Sequence, residues 1–197
     1  MKRLAQLSAL MAIVISISSC LVKSIHPICY PGDSIMVPQI IGTWQDEKGE
    51  MTVIIGKAGK NIYRVVYLDK DNPAVFSGCA ANIGGKLFVD LMPISGVGNN
   101  NLQNLSLFSA HMVFRVEPGK DRLVFAYLDH EWMKQSLKSG AVKIQHETRI
   151  SGQGGETDPY VEIILTASTE ELAAFLASIA GNDKAFGKPV ELKRNSQ

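Results

Sequence analysis

The sequence has 197 residues, of which 46% are hydrophobic and 20% are charged, with 20 basic and 19 acidic side chains and a formal net charge of +1. This length suits one domain with a sizeable core. Because the charges nearly balance, the chain lacks the basic excess that nucleic-acid binding requires, and we expect no nucleic-acid partner.

The first twenty residues have the order of an export signal. Lys2 and Arg3 precede a mainly apolar run from residue 4 to 17, which is shorter than the roughly 20 residues of a membrane-spanning helix. The run ends in Ile17-Ser18-Ser19-Cys20, which resembles the lipobox of bacterial lipoproteins. The resemblance implies cleavage before Cys20, a diacylglyceryl group on its sulfur and an acyl chain, such as palmitate, on its amine. Several acyl chains give a durable anchor because each buried CH₂ contributes about 0.8 kcal/mol.

This pattern predicts a signal peptide at 1–19, a lipidated N-terminal tether at 20–38 that becomes ordered near its end, and a single β-rich domain at 39–197. The alternatives are an ordinary secreted protein in which Cys20 has no special role, and an uncleaved N-terminal helix. The resemblance implies a location in the bacterial cell envelope. Because residue 21 is leucine rather than aspartate, it further implies the outer membrane, facing the periplasm, if the cell has two membranes.

Cys29 and Cys79 remain once Cys20 is assigned to lipid. Disulfides persist in an oxidising compartment. A bridge between these two residues would stabilise the fold by about 4 kcal/mol in the chain-entropy model. The alternative is two unpaired thiols, with Cys79 buried in a strand, and both possibilities stay open.

From residue 41 onward, short runs rich in Val, Ile, Phe and Tyr alternate with turn residues, which is typical of an antiparallel sheet. Connectors such as Lys48-Gly49 and Asn82-Ile83-Gly84-Gly85 suit tight hairpins, because glycine accepts positive φ. The predicted strands cover 41–47, 50–56, 61–69, 74–81, 86–92, 107–116, 122–129, 141–148 and 160–166, with a short last strand near 189–193.

Two helices are predicted among the later strands. The first covers 130–139, where Asp129 can cap the start and Gly140 the end. The second is amphipathic, lies near 169–180, and begins at a capping box of Ser168 and Glu171. Several strands are apolar on both faces, which a closed sheet with an added helix, or a sandwich, would bury. We therefore expect a mainly β fold, an antiparallel meander of about eight strands forming a barrel-like or strongly curved sheet.

The triplet Gly42-Thr43-Trp44 resembles the Gly-x-Trp signature of the lipocalins and wider calycin barrels. The resemblance covers roughly 39–180 and implies that the tryptophan plugs one end of a barrel beneath a basic residue from a late strand. Arg115 and Arg149 are the candidates for that residue. The helix at 130–139 departs from the lipocalin pattern. The alternative is a tryptophan that anchors the core of another β fold.

The whole chain also resembles a group of uncharacterised bacterial envelope lipoproteins. The resemblance implies a location and a shape, and no reaction. The stretches that carry it are IIGTW, KLFVDLMP, SAHMVFRVE, FAYLDHEWMKQSL and LTASTEELAAFLASIA followed by KAF.

Patterns that carry chemistry are sparse in this sequence. The four histidines lack the i, i+2 or i, i+4 spacing that places two imidazoles on one metal, so we expect neither a metal nor a cofactor. The G-x-S-x-G elbow and the phosphate-binding loop are missing as well. We assign no catalytic residue. A polar cluster that could support catalysis has four candidate members, which are Asp90, His111, Asp129 and His130.

We therefore expect a non-enzymatic, membrane-anchored domain that binds a small apolar ligand or another envelope protein. The alternatives are an envelope hydrolase or other enzyme that uses the four polar residues, and an accessory or inhibitor protein that acts through the loops at 93–103 and 149–159. Small barrels are often packed solid, so aromatic residues on the strands can line a ligand site or fill a core. These aromatic residues are Tyr63, Tyr67, Phe76, Phe88, Phe108, Phe114 and Phe125.

Overall fold

A computed structural model of the chain describes residues 21–69, 72–94, 110–151 and 160–195. Within these ranges the chain forms a mainly β fold with two α-helices, as the sequence predicts. The strands are β1 (Lys23–Ser24), β2 (Gly42–Gln45), β3 (Met51–Gly59), β4 (Ile62–Asp69), β5 (Asn72–Ile83), β6 (Lys86–Pro93), β7 (His111–Pro118), β8 (Arg122–Tyr127), β9 (His146–Ser151), β10 (Tyr160–Leu165) and β11 (Val190–Arg194). The helices are α1 (His130–Ser139) and α2 (Thr169–Ile179).

Eight of these strands close into an antiparallel barrel. β2 to β8 pair in sequence order, and β11 closes the ring by pairing with both β8 and β2. The β5–β6 hairpin turns at Gly84 and Gly85, whose φ angles of 58° and 75° suit glycine. Closure gives each barrel strand a paired neighbour on both sides. The predicted meander of about eight strands is therefore confirmed, with the eighth strand drawn from the end of the chain.

Side chains alternate between two hydrophobic cores, because successive residues of a strand point to opposite faces of the sheet. In β6, Val89 belongs to the core inside the barrel, and its neighbour Phe88 belongs to a second core outside it. In β4, Tyr63 and Val65 are buried in the inner core. The covered outer wall therefore explains why β5 to β8 have apolar residues on both faces.

The outer wall of β5 to β8 is covered by the helices and by a short side sheet of β1, β10 and β9. Leu172 and Leu176 of α2 and Met133 of α1 pack in one cluster with Phe88 and Val113 of the wall. All five side chains are nearly or completely buried. The two helices therefore share one apolar layer with the barrel wall and lie on its outside.

The helix ends follow the predicted capping. A side-chain oxygen of Asp129 accepts a hydrogen bond from the backbone N–H of Trp132 at 2.7 Å, and Gly140 ends α1 in the left-handed conformation. Ser168 and Glu171 form the predicted capping box at the start of α2. These local hydrogen bonds are readable from sequence because their partners lie within a few residues of one another.

The segment 21–37, named the strap below, crosses the outer wall before the barrel begins. Its β1 pairs with β7 and β10. Farther along, the N–H of Ile28 donates to Oδ2 of Asp90 at 3.0 Å, and the N–H of Ile35 donates to the carbonyl of Ala80 at 2.8 Å. The sequence indicates order only near 35–38, whereas the strap is packed against the domain from residue 21.

Candidate functional site

One end of the barrel is closed by Trp44. Its side chain is fully buried, and its Nε1–H donates to the carbonyl oxygen of Ile40 at 2.8 Å. The guanidinium of Arg194 covers the indole ring, with Cζ 4.1 Å from a ring centroid. This distance is within the range of a cation–π interaction. We call Ile40, Trp44 and Arg194 the plug.

Arg194 is held in place by backbone carbonyls that surround the plug. Its Nη1–H donates to Ile41 at 3.0 Å, its Nη2–H to Gln39 at 2.8 Å and its Nε–H to Lys120 at 3.2 Å. Gly42 has a φ angle of 143°, and a Cβ at this position would overlap Nη1 of Arg194. Glycine is therefore required where β2 starts, both for its backbone conformation and for its missing side chain.

Neither Arg115 nor Arg149 covers the ring of Trp44, so both predictions for this basic residue are wrong. Arg115 faces the outer layer, where its guanidinium lies 4.2 Å from the ring centroid of Phe186 and donates to Asp183 at 2.8 Å. Arg149 is exposed on β9, in the side sheet. Arg194 was missed because its approach to Trp44 depends on closure of the barrel by the last strand.

The inner core is not buried evenly along the barrel axis. The fully buried side chains lie in the plugged half of the barrel, whereas the inner-core side chains toward the opposite end, where β3 begins and β6 ends, are half-buried. The fully buried members are Ile40, Trp44, Tyr63, Val65, Ala80, Val89, Val116, Leu123 and Leu192. The half-buried members toward the opposite end are Met51, Phe76, Leu91, Phe114, Phe125 and Val190, and those in the plugged half are Met36, Val37, Ile41, Val53, Ile55 and Leu87. The end of the barrel opposite the plug is therefore the more accessible one.

The predicted aromatic residues separate between the two cores. Phe76, Phe114 and Phe125 belong to the inner core, where the rings of Phe114 and Phe125 meet edge to face at 5.8 Å. Tyr67 shares the inward face of β4, by alternation along the strand.

Two of the other predicted aromatic residues, Phe88 and Tyr63, lie away from the half-buried end of the barrel interior. Phe88 faces outward and contacts the Phe186 ring at 6.0 Å, so it lines the outer core rather than the barrel interior. Tyr63 is buried near the plug, where its hydroxyl donates to the carbonyl of Ile35 and accepts from the N–H of Val37. Phe108 lies outside the described residues.

The candidate polar residues do not all share one network of contacts. Asp90 is buried on the outer wall beneath the strap, and its Oδ1 lies 2.9 Å from Nδ1 of His111. A carboxylate only accepts hydrogen bonds, so Nδ1 carries the proton in this contact. Asp129 caps α1, and Nε2 of His130 lies 2.6 Å from the carbonyl oxygen of Val161. The described contacts therefore join Asp90 to His111, and join Asp129 and His130 to backbone groups elsewhere.

Cys29 of the strap and Cys79 of β5 meet beside Asp90. Their sulfur atoms are 2.8 Å apart, and both residues are free cysteines. A hydrogen bond from the Cys79 thiol lowers the pKa of Cys29, although burial and the charge of Asp90 oppose it. The same hydrogen bond raises the pKa of Cys79, and burial and Asp90 raise it further.

An open groove of about 980 Å³ lies on the outside of the barrel, between α1 and α2. Apolar side chains supply much of its wall, including Trp132 and Phe175. Within the described part of the chain, no three His, Cys, Asp or Glu side chains converge closely enough to hold a metal ion. Among the same residues, no helix has both the length and the hydropathy needed to cross a bilayer.

In comparisons with known proteins, no family model, no curated protein and no solved structure matches this chain.

Proposed function

We propose that this chain is a bacterial envelope lipoprotein, anchored through lipid on Cys20, whose lipocalin-like barrel binds a small apolar ligand. The observation that supports ligand binding is the uneven burial of the barrel interior. The barrel is closed at one end by the plug and is lined toward the other end by half-buried apolar side chains. Such an interior suits an apolar molecule that enters at the end opposite Trp44.

The lipocalin-like character is supported by the plug itself. A glycine, a tryptophan and an arginine from a late strand occupy the positions that the Gly-x-Trp resemblance implies. Arg194 comes from β11, which pairs directly with β2 at Trp44. The position of the arginine is thus a consequence of how the barrel closes.

Ligand binding is tested by filling the accessible half of the interior. Val190 faces inward at the start of β11 and is half-buried, while Ile54 of β3 faces outward and is 39% exposed. We expect Val190→Phe to weaken the binding of a long-chain fatty acid, or of an anilinonaphthalene sulfonate probe, by about tenfold or more. Ile54→Phe is the matched control and should bind as the wild type does. Equal binding by both variants, or no binding by the wild type in titration and native mass spectrometry, would contradict the proposal.

The anchor is tested separately, through the chain's three cysteines. In bacteria grown with labelled palmitate, we expect the wild type and Cys29→Ser to be labelled and to sediment with membranes. Cys20→Ser should be unlabelled and should be released on cell lysis. An unlabelled wild type, or a Cys20→Ser form that stays with the membrane, would contradict the anchor and leave the ligand proposal standing.

A further inference from the structure

The strap carries Cys29 directly over Cys79, and contacts on both sides of Cys29 hold it there. Immediately before it, the N–H of Ile28 is bound by Asp90, and farther along, Ile35 is bound by the carbonyl of Ala80, the residue after Cys79. Ile28 is also 2% exposed, so its side chain is anchored in the outer core. The approach of the two sulfur atoms to 2.8 Å therefore follows from the path of the strap.

The barrel wall supplies the other half of this arrangement. Cys79 of β5 and Asp90 of β6 are direct cross-strand partners. Asp90 is 2% exposed, and it binds both the strap at Ile28 and the ring of His111. Asp90, which accepts the hydrogen bond from Ile28 of the strap, is therefore held beside Cys79. This arrangement places Cys29 of the strap opposite Cys79 of the wall.

We propose that Cys29 and Cys79 form a disulfide that fastens the strap to the barrel wall. The thiolate of one cysteine attacks a disulfide oxidant, such as oxidised glutathione, and displaces one of its sulfurs as a thiol. The thiolate of the other cysteine then attacks the protein sulfur of the mixed disulfide and displaces the second. The two cysteines lose two protons and two electrons, and the oxidant becomes two thiols.

Asp90 is a positioning residue in this scheme, because it holds Ile28 and does not itself exchange electrons. The bond would tie the N-terminal segment to the barrel whether or not Cys20 carries lipid.

The test uses the exported chain with residue 20 changed to serine, so that only the two relevant thiols remain. After incubation with oxidised glutathione, we expect no alkylation under denaturing conditions and an intact mass lower by two hydrogen atoms. Addition of a reductant should restore both thiols. Cys29→Ser and Cys79→Ser should each show one thiol, free or as its glutathione adduct. A folded protein that retains two alkylatable thiols, or that forms only intermolecular bonds, would overturn the proposal.

Thermal unfolding gives a second readout that does not depend on alkylation. A reductant should lower the unfolding midpoint of the oxidised protein by about 10 °C, because it releases the loop that spans residues 29 to 79. The double variant Cys29→Ser/Cys79→Ser should unfold near the midpoint of the reduced wild type and should not respond to the reductant. An oxidised protein whose midpoint is unchanged by the reductant would contradict the fastening role.

Discussion

The two halves of the barrel interior differ in how tightly they are packed, although they share the same strands. Near the plug, Leu192 and Tyr63 are fully buried, and Arg194 satisfies the carbonyls around Trp44. Toward the opposite end, side chains of the same apolar kind, such as Leu91, remain half-buried. One half therefore provides stability through dense packing, and the other half provides accessible apolar surface.

The largest expected effect is at the plug. Trp44→Ala should lower the free energy of unfolding by about 4 kcal/mol, because it leaves a large cavity and removes the ring beneath Arg194. The matched control is Trp132→Ala in the groove between α1 and α2, since Trp132 is only half-buried and should lose clearly less. Urea unfolding measures both. Similar losses at the two tryptophans would remove the special role of the plugged end.

The second test compares one residue type in the two halves. Leu192→Ala should cost about 3 kcal/mol, because Leu192 is completely buried. Leu91→Ala should cost about half as much, because water already reaches part of the Leu91 side chain. The same urea titrations give the difference between the two variants. Equal costs would show that both halves are packed alike and would weaken the proposed ligand site.

The local parts of this architecture could be predicted from the sequence. Short runs rich in Val, Ile, Phe and Tyr between glycine-containing turns predicted the strands of the meander, and capping residues predicted both helices, because each signal lies within a few neighbouring residues. The two-sided hydrophobicity of several strands indicated a closed sheet with an added helix, or a sandwich, for the same reason. These features depend on contacts that are short in sequence.

The parts that could not be predicted depend on closure. Arg194 reaches Trp44 only because β11, near the end of the chain, pairs with β2. Likewise, Cys29 reaches Cys79 only because the strap crosses the barrel wall. Whether Phe88 faces into or out of the barrel depends on how β6 pairs with its neighbouring strands, which amino-acid composition does not reveal. Long-range pairing, rather than local pattern, decides these positions.

The third test weakens the plug while retaining its charge. Arg194→Lys should cost about 1–2 kcal/mol, because an ammonium group cannot reach the carbonyls of Gln39, Ile41 and Lys120 together. The comparison is with Lys193→Arg, the neighbouring exposed residue, which should leave stability unchanged. An Arg194→Lys variant as stable as the wild type would show that the cation–π contact alone holds the tryptophan.

The smallest expected effect is a pH dependence of the free energy of unfolding. It arises at the plugged end of the barrel, where Tyr63 is buried beside the strap. Burial raises the pKa of Tyr63, against the opposing hydrogen bond from the N–H of Val37. The folded protein therefore holds the phenolic proton more tightly than the unfolded chain, whose tyrosine pKa is about 10. The resulting stability is present below that pH and is lost as the pH rises through the folded pKa.

Urea unfolding from about pH 8 to pH 11 should show this loss in the wild type. Tyr63→Phe should start about 1–2 kcal/mol less stable, since the N–H of Val37 loses its acceptor, and should then fall less steeply with pH. Tyr30→Phe is the control, because Tyr30 is 51% exposed, and its slope should match the wild type. If Tyr63→Phe keeps the wild-type slope, the phenol ionises as readily in the folded protein as in the unfolded chain. The plugged half would then be hydrated, and its contrast with the accessible half would disappear.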